Sequence, residues 1–115
     1  MPNEHIVRSY DEELRRLRDM VARMGGLAER QVAESTRALV RRDTDLATEV
    51  VGRDAQIDAL EREVEAYCVR LLALRQPMAA DLRVIIAAMK ASNDLERIGD
   101  YASNAAKREI GRAHV

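Results

Sequence analysis

Three long runs of this chain carry an apolar residue every three or four positions, a spacing that leaves few folds open to it. In the first run, from about Glu4 to Arg42, the line passes through Tyr10, Leu14, Leu17, Val21, Met24, Ala28, Gln31, Ser35 and Leu39. In the second, from about Thr44 to Arg75, it passes through Leu46, Val50, Arg53, Ile57, Leu60, Val64, Tyr67, Leu71 and Leu74, with one charge, Arg53, in the line. In the third, from Pro77 to about Arg108, Val84, Ala88, Ala91, Leu95, Ile98, Ala102 and Ala105 make one line, and Leu82, Ile85 and Met89 begin another beside it. Steps of four and three belong to helices that bury a stripe against partners. The wider apolar surface of the third run is that of a helix touching two neighbours.

The breaks between the runs are short. Asp43 is placed to cap the second helix. Pro77 suits the first turn of the third helix, where its missing N–H is no loss, and Asp81 suits that helix's positive end. Helices joined so tightly must run antiparallel, so the expected fold is all-α, an up-down-up three-helix bundle. Gly25-Gly26 costs about 2 kcal/mol of helix propensity against alanine. The stripe keeps its phase across the pair, so one continuous helix is expected, with close packing against a neighbour as the reason for the glycines.

Composition agrees: 34% of residues are charged and 3% aromatic, the balance of long packed helices. A net charge of −1 argues against an electrostatic grip on nucleic acid or on an anionic membrane. No apolar run approaches the ~18 residues of a membrane span, and the polar N-terminus has no signal-peptide core, which makes the expected location cytoplasmic. The single Cys68, set amid Tyr67, Val69 and Leu71, reads as a small core residue.

One stretch is not explained by packing. Along NDLERIGDYASN, residues 93–104, Asn93, Glu96, Asp100 and Asn104 fall within an arc of about 80° on a helix, beside the apolar line of Leu95, Ile98 and Ala102. A solvated face mixes Glu with Lys. Acids and amides one turn apart, with Gly99 letting something come close, look like a site.

Four stretches together resemble the PhoU family of phosphate-transport accessory proteins: YDEELRRLRDMVARMGGLAE at 10–29, RDAQIDALEREVE at 53–65, LRQPMAADLRVIIAAMK at 74–90 and DLERIGDYASNAAK at 94–107. QPMAADLR and DLERIGDYASN are the most specific. The resemblance covers nearly all of residues 5–108 and implies the first of two similar three-helix repeats. It also implies surface metal clusters built on paired Glu/Asp-x-x-x-Asp motifs from neighbouring helices. Asp54-x-x-x-Asp58 and Glu96-x-x-x-Asp100 match those motifs.

These carboxylates make chemical sense by themselves. Residues four apart lie about 6 Å from each other on one helix face, where like charges repel. Two such pairs face to face would form an open, all-oxygen cluster suited to Mg²⁺, Mn²⁺ or iron, with Zn²⁺ also considered. Asp94 reads as a partner of Arg97, and Asn93 and Asn104 as weaker candidates. The alternative for all of them is a solvated face. An enzyme is not expected. No Glu-x-x-His pair, Gly-rich phosphate loop, Cys/His zinc set or serine triad is present, and His5 and His114 stand at the ends.

By resemblance, the expected function is a regulatory adaptor. It would bind the ATPase subunit of the phosphate ABC transporter and a sensor histidine kinase, limiting phosphate uptake and repressing the starvation response. The competing reading is a helical assembly module with no metal or signalling role. One repeat alone leaves apolar surface that a second would cover, so a homodimer or larger homo-oligomer is expected. Residues 1–108 form the expected repeat. The last seven residues, EIGRAHV at 109–115, match what a common sequencing adapter encodes, so a sequencing-adapter-derived tail is expected there.

Overall fold

The computed structural model describes the backbone of residues 2–114 and the side chains of residues 7–114, so the side chain of His5 lies outside the described residues. Three helices account for nearly all of it: α1 (Pro2–Arg41), α2 (Thr44–Arg75) and α3 (Ala79–Ala113). They pack side by side into a rod of 66 × 18 × 17 Å with a radius of gyration of 18.0 Å. A compact globule of this length would measure about 13 Å, so the long axis is set by helix length. Contacts fix the directions. Glu13 meets Tyr67 and Gln31 meets Val50, so α1 and α2 run antiparallel. Cys68 meets Ile85 and Ile57 meets Gly99, so α2 and α3 do too. The bundle is up-down-up, as expected, and each helix touches both others.

The first turn closes as the sequence indicates. Asp43 caps α2, its carboxylate accepting from the Leu46 N–H at 3.0 Å. Before it, Arg42 takes a left-handed φ of 54°, which lets the Asp43 N–H reach back to the Ala38 carbonyl at 2.9 Å. That is the usual six-to-one closure of a helix end, with arginine where glycine is favoured. The second turn corrects an expectation. Pro77 precedes α3 instead of standing in its first turn. Gln76 at φ 45° turns the chain out of α2, and Met78 caps α3 without a side-chain hydrogen bond. Asp81 does lie in the first turn of α3.

The principal stripe of each helix is buried or half-buried with three exceptions. Leu39 is 41% exposed, Leu74 61% and Ile98 40%. On α1 the alternation of four and three continues from Gln31 and Ser35 to Ala38, which is fully buried. Leu39 sits one residue off the seam, where apolarity and phase disagree and phase wins. On α3 the expected apolar line packs against the bundle through Ala102, which is buried, and through Val84, Ala88 and Leu95, which are half-buried. Beyond Ile85 the most buried positions are mostly small side chains: Ser92, Gly99, Ala102, Ser103 and Ala106. Those residues let α3 lie close to its neighbours and leave Ile98 at the edge.

Two apolar clusters result. The larger joins Leu14, Leu17 and Met24 of α1 to Ile57, Leu60, Val64 and Leu71 of α2 and Ile85 of α3. The smaller joins Ala38, Ala47, Val50 and Ala106, with Ile110 packed against it. A polar layer separates them. Gln31 donates to the Val50 carbonyl at 2.7 Å and accepts from Arg53 Nε at 3.2 Å. Arg53 is also paired with Glu34, which Arg30 holds from the other side. The charge in the α2 stripe is thereby accounted for.

The glycine pair in α1 lies in unbroken helix, as expected. The expected reason fails, because a Cβ built at Gly25 or Gly26 would meet nothing within 4 Å. Helix α3 runs five residues beyond Arg108, burying Glu109, which pairs with Arg112. Cys68 is fully buried, and burial pushes its thiol up to about 11, which leaves it unreactive.

Candidate metal centre

Asp54 and Asp58 stand one turn apart on α2, with Ile57 between them at the seam. Ile57 is 1% exposed and packs into the larger cluster. Burying it turns the two aspartates towards α3. On that helix Gly99 is buried, Asp100 follows it, and Glu96 lies one turn before Asp100. Antiparallel packing brings the two pairs to the same level. One carboxylate oxygen each from Asp54, Asp58 and Asp100 lies within 4.8 Å of the others. Glu96 is outside this trio but near enough to Asp100 and Asp58 for both to act on its carboxyl.

Electrostatics here run against ionisation. A hydrogen bond with Asp100, then burial, then the charges of Asp100 and Asp58 raise the Glu96 pKa to about 7. Burial, followed by the charges of Asp58 and Asp100, raises the Asp54 pKa as well, with Lys107 opposing. Such crowding is relieved by a proton or by a cation. The Oδ1 atoms of Asp54 and Asp58 are both shut off from solvent and accept no hydrogen bond. Buried acceptors are nearly always satisfied, so the orphaned pair fits a ligand that neutralises it. An all-oxygen donor set suits a hard cation such as Mg²⁺ or Mn²⁺, or iron, better than one that seeks nitrogen or sulfur.

The four sequence-indicated carboxylates are thus brought together, while the weaker candidates are not. Asn93, Asp94 and Asn104 are exposed. Among the described residues Asp94 makes no ion pair, with Arg97 or otherwise. Lys107 was not singled out by sequence reasoning. Its place two helical turns after Asp100, on the same face, was the available signal.

A family model described as "PhoU domain" matches residues 21–108. Among curated proteins, the chain is similar to a phosphate-specific transport system accessory protein PhoU homolog of Caulobacter vibrioides, 53% identical over 107 residues. That match covers 93% of this chain and 46% of the relative. A Rhizobium meliloti protein of the same description is 45% identical over 113 residues, covering 98% and 48%. Among solved structures, the crystal structure of PhoU from Pseudomonas aeruginosa superposes with a TM-score of 0.86 at 47% identity. It covers 89% of this chain and 49% of that one. The chain therefore spans about half the length of the relatives it matches.

Proposed function

The chain belongs to the PhoU family, and we propose that it acts in phosphate homeostasis as a regulatory adaptor that binds partners without turning over a substrate. The observation that carries this reading is its 53% identity to a relative named as a phosphate-specific transport system accessory protein. The proposed partners are the ATPase subunit of the phosphate ABC transporter and the sensor histidine kinase of the starvation response. Binding them would lower uptake and keep the response repressed. The proposed location is cytoplasmic, consistent with the absence, among the described residues, of any helix long and apolar enough to cross a membrane. Long helical faces suit recognition by another bundle. Pull-down of the full-length protein with each partner tests it. Retention of the ATPase subunit and the kinase is expected, and loss of both would sink the adaptor reading.

Asp54, Asp58, Glu96 and Asp100 are proposed as ligands of one or more hard cations, Mn²⁺, Mg²⁺ or iron, with Zn²⁺ less suited to an all-oxygen set. The supporting observation is the orphaned Asp54 and Asp58 oxygens. A bound cation would supply positive charge that holds α2 and α3 together at this level and a surface on which an anion can bind. Metal content after equilibration, in the parent and in Asp54→Ala with Asp100→Ala, separates this from the assembly-module reading. Equal content in both would leave the carboxylates as surface.

Homo-oligomerisation is proposed from the apolar side chains left at the surface between α1 and α3, Val32 and Ile98 among them. Residues 109–115 remain proposed as adapter-derived, and their codons decide it.

A further inference from the structure

Five glycines occur in the chain, and four of them, Gly25, Gly26, Gly52 and Gly111, have open space where a Cβ would stand. Gly99 does not. A methyl group there would meet Ile57 Cδ1 at 3.0 Å, Ile57 Cγ2 at 3.5 Å and Asp54 Oδ1 at 3.7 Å. Glycine inside a helix is disfavoured against alanine, so its place here calls for a tertiary reason.

The contact falls at the centre of the carboxylate group. Ile57 lies between Asp54 and Asp58 in sequence, and Gly99 lies between Glu96 and Asp100. We propose that Gly99 is a positioning residue for this cluster, its missing side chain setting how near Asp54 and Asp58 come to Asp100, with Ile57 as the side chain against which the approach is gauged. The proposal rests on the metal reading above. A methyl at position 99 leaves two ways out, a rotation of Ile57 Cδ1 by a few tenths of an ångström or a shift of α2 away from α3. The helix shift is favoured because Ile57 is locked in the packed core, and it is this shift that carries the aspartates with it. Oxygen–cation bonds of about 2.0 to 2.6 Å tolerate little widening. Neither glycine nor isoleucine has a side-chain atom that could ligate a cation, so both act through the carboxylates.

The test is titration calorimetry with Mn²⁺ on the full chain, with thermal melts in the absence of metal. Gly99→Ala is expected to weaken Mn²⁺ binding by about ten- to a hundredfold, the usual effect of disturbing groups that orient ligands. Its metal-free fold should be kept with little change in melting temperature, since alanine's better helix propensity offsets the crowding of Ile57. Ile57→Val removes the Cδ1 atom, and Gly99→Ala with Ile57→Val should recover the parent affinity. Parent affinity in Gly99→Ala overturns the proposal and leaves the metal reading standing. So does weakened binding that Ile57→Val does not rescue. Loss of fold and affinity together in Gly99→Ala assigns the residue to core packing and overturns the positioning role. If the parent takes up no Mn²⁺, the metal reading falls and this proposal with it.

Discussion

Glu96 ties the site to pH. Its ordinary pKa is 4.5, and in the folded chain Asp100, burial and the neighbouring charges raise it to about 7. The folded state therefore holds this proton more tightly than the unfolded one, so the stabilisation is complete at acid pH and drains away as pH climbs towards 7. Asp54 shifts in the same direction. The metal-free melting temperature should fall between about pH 5 and pH 8, with Glu96→Gln flattening most of that slope and Mn²⁺ doing the same. Glu34 works the other way. Arg30 and Arg53 lower its pKa, so its contribution is present at neutral pH and is lost on strong acidification. A melting temperature that climbs from pH 5 to pH 8 would show that the carboxylates do not interact as the geometry requires. Sequence showed which acids to watch, because an i,i+4 pair of like charges is conspicuous on a helix. It could not show that Asp58 also acts on Glu96, since that depends on how α2 packs against α3.

At the scale of the helices, glycine is the informative residue. Gly25 and Gly26 are not required by packing, so they lower the helix-forming tendency of α1 without a structural return. Gly26→Ala should stabilise the protein by about 0.5 to 1 kcal/mol in urea denaturation. A loss of stability instead would mean that a contact outside this chain needs the space. The cap of α2 has the opposite character. Asp43→Ala removes the acceptor for the Leu46 N–H and should cost about 1 kcal/mol, measurable as a shift of the same transition. That cap was legible in advance, because aspartate before a periodic run has a local meaning. The seam of α3 was not. Ile98 is more apolar than Ser92, Gly99 and Ser103, yet it is exposed while the small residues are buried. Close helix–helix approach rewards small side chains there, and hydropathy alone does not register distance.

The whole molecule is a thin rod, and a thin rod covers apolar surface poorly. Between α1 and α3 an apolar groove runs along Ala28, Val32, Leu95 and Ile98, and Leu39 and Val40 lie exposed further along α1. Exposed apolar surface of this kind favours association. Analytical ultracentrifugation should find a concentration-dependent oligomer, weakened by Val32→Glu with Ile98→Glu. A monomer at every concentration, in the parent chain, would remove the oligomer proposal. The polar layer of Gln31, Arg53 and Glu34 also acts at this scale, since it fixes how far α1 can slide along α2. Gln31→Ala leaves the Val50 carbonyl and Arg53 each short of a partner. It should destabilise the bundle by about 1 to 3 kcal/mol, read from the same denaturation experiment.

By itself the sequence determined the elements: three helices, their phases through most of their length, the turn at Asp43, and the two acidic pairs. Each of these is a local property, set by residue spacing along one helix or by the chemistry of one turn. Tertiary structure decided the rest. It chose Ala38 over Leu39 and the small side chains of α3 over Ile98, because two neighbours must be packed at once. It placed Pro77 outside α3, because Gln76 had already turned the chain. It also brought Asp54 and Asp58 against Asp100 and Glu96, although Asp58 and Asp100 stand 42 positions apart in the chain. No local rule spans that gap. The approach of α2 to α3 does, at the level where Gly99 meets Ile57.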